Sequence, residues 1–303
     1  MQIFSISKMS ERKYRVGYKV ILIACLLVIT LECIYDFKED GRKCPIYNPT
    51  LEGTLNLQLD SVSYDEMISN FSWLINGGHY MPTECKPRES VAIIIPFRGR
   101  EEHLRILLNN LHPVLYRQQL EYTVYIVEQV DTKPFNKGYL YNVGYMKAKE
   151  NQHTCFVFHD VDLIPENDHI LYGCMKSPMH LSRAIDKFHY ILSDLKLIGG
   201  VSAWKAKEFE KVNGWSNMFK NWGGEDDDMS YRIAANGLSI FRYPNSIAKY
   251  KMLKHKRTPV NTARHRMLEN SAPRFKHDGL STLIFNPPRI EKHHLFTKIL
   301  VPT

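Results

Sequence analysis

Between residues 91 and 158 the chain alternates short apolar runs with stretches of helical spacing, and few folds accommodate that order. Val91-Ala92-Ile93-Ile94-Ile95 is apolar at every position, as suits a strand covered on both faces, and Pro96 stops it. Glu101 to Gln119 carries Leu104, Leu107, Leu108, Leu111 and Leu115 at helical spacing. Thr123 to Val127 is β-branched and aromatic, a second strand. Lys137 to Glu150 is helical in composition, and Cys155 to Phe158 is a third strand running into His159-Asp160-Val161-Asp162. Strand, helix, strand, helix, strand predicts an α/β domain with a largely parallel sheet. In such sheets ligands gather at the carboxyl ends of the strands. Arg98-Gly99-Arg100 and Asp160-Val161-Asp162 both fall there, which is the first functional signal.

The second half is mixed. Gly199-Gly200-Val201-Ser202-Ala203 reads as a short strand entered through glycines, and Lys205 to Asn213 as a helix stopped at Gly214. Trp222-Gly223-Gly224 then leads into Glu225-Asp226-Asp227-Asp228, with Asp226 or Asp227 expected to cap a helix running to about Asn236. The region after Pro244 reads as basic and irregular. With 44% hydrophobic and 12% aromatic residues in 303, the chain is not disordered or low in complexity. Forty Lys+Arg against 32 Asp+Glu give +8, which suits an anionic small substrate, a membrane surface or nucleic acid and decides among them only with help.

That help begins at the N-terminus. Val20 to Leu31 (VILIACLLVITL) is an apolar run preceded by Lys8, Arg12, Lys13, Arg15 and Lys19 and followed by Glu32, Asp36, Glu39 and Asp40. It is shorter than the ~20 residues a bilayer normally needs. Snorkelling by Lys19 and extension to Ile34 bring it close. No small-x-small cleavage site follows, so it reads as an uncleaved anchor over 20–34, with a cytoplasmic tail over 1–19 and the remainder lumenal. Residues 35–88, Pro-, Gly- and polar-rich with little periodicity, read as a stem and the start of the lumenal domain, and 89–303 as the main domain. Cys44, Cys85, Cys155 and Cys174 most simply make two disulfides there, with three pairings open. No Cys/His pattern has zinc spacing. Asn70-Phe71-Ser72 is a glycosylation acceptor motif. A lumenal address without a recognition motif excludes nucleic acid as a partner.

In Asp160-Val161-Asp162 the carboxylates are two residues apart, so on an extended segment both point one way and suit a hard divalent cation. Arg98, Arg100 and Lys137 add cationic donors for a diphosphate, although each singly reads as an ordinary surface cation. The crowded acids from Glu225 to Asp228 raise one another's carboxyl pKa values, which suits a general base. By inspection Met252 is a soft ligand and His255 an exposed imidazole.

Together these segments resemble the β-1,4-galactosyltransferase family. The matching stretches are Val91 to Leu104 (VAIIIPFRGREEHL), Phe135 to Tyr145 (FNKGYLYNVGY), Phe156 to His169 (FVFHDVDLIPENDH), Gly199 to Ala203 (GGVSA) and Trp222 to Asp228 (WGGEDDD), collinear from about Cys44 onward. The resemblance implies a GT-A fold (a Rossmann-like mixed sheet with flanking helices), a type II Golgi membrane enzyme, and inverting transfer from a UDP-sugar to the 4-hydroxyl of terminal N-acetylglucosamine (GlcNAc) on glycolipid or glycoprotein. It implies Mn²⁺ held by Asp162, Met252 and His255, and UDP held by Pro96, Phe97, Arg98, Arg100, Phe135, Lys137, Asp160, Val161 and Trp222. Asp226 is the implied general base. Gly224, Glu225, Asp226 and Asp227 are implied in acceptor binding, with Arg264, His265 and Leu268 around the acceptor's acetamido group and His265 in place of the usual aromatic. Trp222 is the implied tip of a loop that closes over bound donor. Cys44–Cys85 and Cys155–Cys174 are the implied disulfides. Lys137 stands where many relatives carry Arg, exchanging a planar fork for a point charge.

One departure concerns the donor. Galactose-transferring members typically carry Tyr-Phe before the paired glycines, and this chain has Leu197-Ile198. An aliphatic side chain in place of the phenol leaves space for an acetamido group, so the resemblance points to the invertebrate β-1,4-N-acetylgalactosaminyltransferase branch and to UDP-GalNAc as donor. The alternatives are UDP-galactose with the same chemistry and a lumenal sugar-binding protein without turnover. Retention of the acidic run and of all three metal positions argues against the last.

Overall fold

The structure, a computed structural model, describes residues 43–256 and 259–303. The tail and anchor expected over 1–34, with Cys25 and Cys33, lie outside the described residues. Among the described residues no helix is long and apolar enough to cross a membrane.

Twelve strands are present among the described residues: β1 (His79–Tyr80), β2 (Ser90–Phe97), β3 (Glu121–Gln129), β4 (Cys155–His159), β5 (Leu163–Pro165), β6 (Met179–His180), β7 (Ala184–Ile185), β8 (Val201–Lys205), β9 (Phe241–Arg242), β10 (Lys249–Met252), β11 (Arg289–Lys292) and β12 (Thr297–Val301). The helices are α1 (Tyr64–Asn70), α2 (Glu101–Arg117), α3 (Lys137–Glu150), α4 (Ala206–Lys211), α5 (Glu225–Ala235), α6 (Arg264–Leu268) and α7 (Ser271–Arg274), with short 3₁₀ turns between. The large sheet runs β11-β12-β3-β2-β4-β8-β6-β9, with β1 also on β3. Strands β12, β3, β2 and β4 are mutually parallel, as the alternating order predicts. The rest departs from that expectation: β8 is antiparallel to β4 and to β6, because the chain makes a detour through a second sheet, β5-β10-β7, before returning.

The strand run 91–95 shows why it had to be apolar throughout. Val91, Ile93 and Ile95 enter one core with Leu104, Leu107, Leu108 and Leu111 of α2, while Ala92 and Ile94 enter another with Leu140 and Val143 of α3. Successive side chains on a strand face opposite ways, so a sheet covered on both faces leaves no position for a polar residue. Helix α3 lies close enough to the sheet that a Cβ on Gly144 would fall 2.5 Å from Ile94 Cγ2 and 2.8 Å from Val127 Cγ2. Its N-terminus is capped by the Asn136 side chain, which accepts from the Tyr139 N–H.

One sequence expectation needs correction and another gains a boundary. Residues 45–88, within the stretch expected to hold the stem and the start of the lumenal domain, lie in the compact unit that runs from Pro45 to Thr303. Met67 of α1, Phe71, Leu74 and Tyr80 are buried in the α2 core. Helix α5 is not capped by Asp226 or Asp227: Gly224, at φ +102°, takes the N-cap position without a side-chain hydrogen bond. All four acids therefore occupy the first turn, where the positive end of the helix dipole favours them.

The Cys155–Cys174 bond is formed, at an S–S distance of 2.04 Å, and Cys44 and Cys85 are disulfide-bonded as well.

Candidate active site

Two clusters of charge lie at the carboxyl end of the parallel strands. The first grows from Asp162, three residues past β4. Although the sequence after Pro244 reads as irregular, residues 249–252 form β10, which pairs antiparallel with β5 and sets Met252 opposite Leu163. The Leu253 N–H donates to the Asp162 carbonyl at 2.8 Å, and the Met252 N–H to Asp186 Oδ1 at 2.8 Å. This pairing carries His255 to Asp162: its Nε2 lies 3.0 Å from Asp162 Oδ2. Arg100 Nη1 reaches the same oxygen at 3.3 Å.

The His255 geometry tests whether a cation suits the site. Nδ1 sits 2.8 Å from the Lys256 carbonyl, which can only accept, so Nδ1 carries a proton. Arg100 Nη2, 3.3 Å from the same nitrogen, is the weaker contact. Nε2 then faces a carboxylate oxygen. Two acceptors at that distance need a proton or a cation between them. A backbone carbonyl on one ring nitrogen with the other free is the usual posture of a metal-ligating histidine. Asp162 and His255 thus fit a divalent ion, and β10 brings the Met252 backbone alongside, opposite Leu163. The other carboxylate and cysteine grouping with metal-ligand spacing among the described residues, Glu89, Cys155 and Cys174, is occupied by the disulfide.

The second cluster centres on Lys137, at the first turn of α3. Its ammonium lies 2.8 Å from Glu225 Oε1, 3.2 Å from Asp226 Oδ1 and 3.6 Å from Asp160 Oδ1. Tyr141, one turn along the same face of α3, donates to Asp160 Oδ1 at 2.9 Å. Burial disfavours the Lys137 charge, but Asp160, Asp226 and Glu225 together hold its pKa well above the ordinary range. Asp226 moves the other way from an ordinary carboxyl. Burial, with Glu225 and Asp160 beside it and only Lys137 opposing, pushes it up to about 7, although the side chain keeps 26% of its exposure. Asp160 is raised for the same leading reason, burial. Glu225 Oε2 is buried without a hydrogen-bond partner, so the site holds an acceptor looking for a hydroxyl.

Around these clusters, Arg98 stacks over Phe135 at 5.2 Å and donates to the Lys133 carbonyl at 2.6 Å. Pro96 and Phe97 end β2, and Val161 is buried beside Asp160. Trp222 is 57% exposed, its ring covered on one side by Arg264 at 5.0 Å. The Trp222 N–H donates to the Pro259 carbonyl and its own carbonyl accepts from the Asn261 N–H, both at 3.0 Å. A Cβ on Gly223 would meet Arg264 Nη1 at 2.8 Å, so this loop and α6, with His265 and Leu268, are brought together. Leu197 is half-buried, two residues before Gly199, where a Cβ would lie 2.2 Å from Asp226 Oδ2. The position expected to select the donor is therefore two residues from the glycine that packs against the expected base.

Sequence reading missed Tyr141, Gly199 and a knot behind α5. In the knot Asp228 and Arg232, both fully buried, join Arg274 and Asp278. Tyr141 was findable from its four-residue spacing to Lys137. Each half of the knot is a four-residue pair, Asp228–Arg232 and Arg274–Asp278, but nothing local in the sequence joins the two halves.

The pattern described as the N-terminal region of glycosyl transferase group 7 matches residues 44–175, and that described as the N-terminal domain of galactosyltransferase matches 179–256. Human β-1,4-galactosyltransferase 6 is 42% identical over 264 residues, covering 85% of this chain and 69% of the relative. Chinese hamster (Cricetulus griseus) β-1,4-galactosyltransferase 4 is 40% identical over 288 residues, covering 94% and 83%. Among solved structures, the catalytic domain of Drosophila β-1,4-galactosyltransferase 7 with xylobiose superposes with a TM-score of 0.62 at 26% identity, covering 71% of this chain and 94% of that one. A mutant of the same Drosophila enzyme, solved with manganese, UDP-Gal and xylobiose, matches equally.

Proposed function

Since the chain belongs to the β-1,4-galactosyltransferase family, we propose that it is a Mn²⁺-dependent inverting transferase moving GalNAc from UDP-GalNAc to the 4-hydroxyl of terminal β-linked GlcNAc. The observation that carries this reading is a half-exposed carboxyl of raised pKa, Asp226, held by Lys137 and packed against the glycine that follows the Leu197-Ile198 pair.

Arg98, Arg100, Phe135 and Lys137, with the end of β2, hold the nucleotide, and Asp160 and Val161 close over it from the neighbouring strand. Asp162, Met252 and His255 would hold Mn²⁺, which would supply electrostatic neutralisation of the diphosphate. Lys137 adds a fixed positive charge on the same side, already aligned and costing no reorganisation during the reaction. Asp226 takes the proton of the acceptor hydroxyl as that oxygen forms its bond to the anomeric carbon, while the bond from that carbon to UDP breaks on the opposite face. One displacement converts an α-linked donor to a β-linked product. Glu225 and Asp227 hold hydroxyls through acceptor oxygens, the unpartnered Glu225 Oε2 among them. Arg264, His265 and Leu268 face the acceptor's acetamido group, and Trp222 closes the loop side.

The anchor over 20–34, a Golgi type II orientation and glycosylation at Asn70, which is exposed at the end of α1, complete the proposal. The names of the relatives favour a second reading in which the donor is UDP-galactose. The test is kcat/KM for UDP-GalNAc and UDP-galactose with a simple β-GlcNAc glycoside. A preference for GalNAc that Leu197→Tyr reverses supports the first reading, and a galactose preference in the unaltered enzyme supports the second. The side-chain difference is worth about 1–3 kcal/mol, so the disfavoured donor still reacts measurably.

A further inference from the structure

Beneath Leu197 lies an arrangement that the transfer step itself does not use. Strands β6 and β9 run parallel with His180 opposite Arg242. Arg242 Nη2 donates to the carbonyls of Leu195 and Leu197, each at 2.7 Å, and its Nε donates to His180 Nδ1 at 3.2 Å. His180 is buried, and its Nε2–H donates to the Gly199 carbonyl at 2.9 Å, where the Ser182 hydroxyl also donates at 3.2 Å. The same hydroxyl accepts from the Val201 N–H at 2.8 Å, and the Gly200 carbonyl accepts from the Asp160 N–H at 2.9 Å.

The carbonyls of residues 195, 197 and 199 are thus held from one direction by two side chains of neighbouring strands. The imidazole must be neutral to do this, offering one nitrogen as acceptor and the other as donor. Burial, with Arg242 and Arg183 nearby, pushes its pKa down to about 3 and keeps it so. On the other side, Asp226 leaves no room for a side chain at Gly199. The segment has no strand partner of its own; besides this clamp, the Ser230 hydroxyl donates to the Lys196 carbonyl at 2.5 Å and the Lys196 N–H to Asp194 Oδ1 at 2.8 Å, so Arg242 and His180 supply the hold on the carbonyls of residues 195, 197 and 199.

We infer that Arg242 and His180 are positioning residues for donor selection: by holding the Leu195–Gly199 backbone they set where Leu197 stands relative to Asp226 and so the space beside the donor's C2 substituent. The inference rests on the reading of Leu197 given under Proposed function. It adds that discrimination belongs to a clamped backbone as well as to one side chain. Displacements of the order of an ångström suffice to erode discrimination by shape.

The experiment measures the ratio of kcat/KM for UDP-GalNAc and UDP-galactose in the full chain, with Leu197→Tyr, Arg242→Met, Arg242→Lys and His180→Gln, alongside UDP–Mn²⁺ affinity and melting temperature. Arg242→Met is expected to move the ratio toward unity by about fivefold or more, with UDP affinity within about twofold. Arg242→Lys, which keeps a cationic donor for the two carbonyls, is expected to retain most of the ratio. An unchanged ratio in Arg242→Met, in an enzyme where Leu197→Tyr does shift it, overturns this inference and leaves the donor reading intact. An unchanged ratio in Leu197→Tyr brings down the donor reading and this inference with it. If Arg242→Met does not fold, His180→Gln takes its place, because an amide cannot span both contacts of the ring, and the same two outcomes apply.

Discussion

A side chain that must take a proton from an alcohol works best with a pKa near the working pH. An exposed aspartate sits well below that, and Asp226 reaches about 7 because burial and the carboxylates of Glu225 and Asp160 outweigh the pull of Lys137. The base is competent only when ionised. Measured kcat/KM is therefore expected to fall about tenfold per unit as pH drops below about 7 and to level above it. Lys137→Met removes the one group that lowers this pKa, so the acid limb should move to higher pH, while KM for the donor rises through loss of a cation near the diphosphate. A limb that moves down or stays still would place the base elsewhere. The carboxylate pair at residues 160 and 162 stood out by its place at the end of a buried strand more than by its spacing, and the structure divides it between the Lys137 and His255 clusters. The raised pKa at Asp226 was legible in direction from the acidic run, but its extent was not, since only the fold shows that Asp226 is buried with Asp160 as well as Glu225 beside it.

Elements explain the glycines and the failures of periodicity. Gly144 and Gly199 both prevent a collision, but the partners differ, so Ala at each is expected to act differently. At Gly144 a methyl would overlap Ile94 and Val127 in the core, and Gly144→Ala should cost about 1–3 kcal/mol in urea denaturation. At Gly199 it would push on the Asp226 carboxylate, and Gly199→Ala should lower kcat by about tenfold or more while the unfolding midpoint moves little. Equal stability losses at the two positions would contradict this. The parallel strands and α2 and α3 were readable because each has a repeating apolar pattern and a stop signal such as Pro96. β10 was not, because Lys249-Tyr250-Lys251-Met252 is short and flanked by lysines, and its partner β5 lies more than eighty residues away. The helix start at α5 was misassigned to an aspartate because acids are good caps, whereas a left-handed glycine takes that position and Asp228 turns instead to Arg232 and Arg274.

The molecule as a whole shows why the polar stretch before residue 89 cannot be detached. Met67, Phe71 and Leu74 are buried against the helix that leads away from Arg100. A fragment spanning 43–303 is therefore expected to fold cooperatively, while one spanning 89–303, trimmed where composition suggests a boundary, should be insoluble or melt far lower. Met67→Ala in the longer fragment should cost about 2–5 kcal/mol, as for other fully buried methionines. Equal melting of the two fragments would mean that this packing contributes nothing. At the junction of β4, α3 and α5, Lys137 joins Asp160 to Asp226, the residue proposed as the base. The sharpest single measurement there pairs transfer rate with calorimetric UDP–Mn²⁺ affinity in Asp226→Asn. The expected result is a loss of transfer of about a thousandfold or more with affinity essentially unchanged. Transfer that survives the substitution, or nucleotide binding that disappears with it, would contradict the assignment of Asp226 as the base.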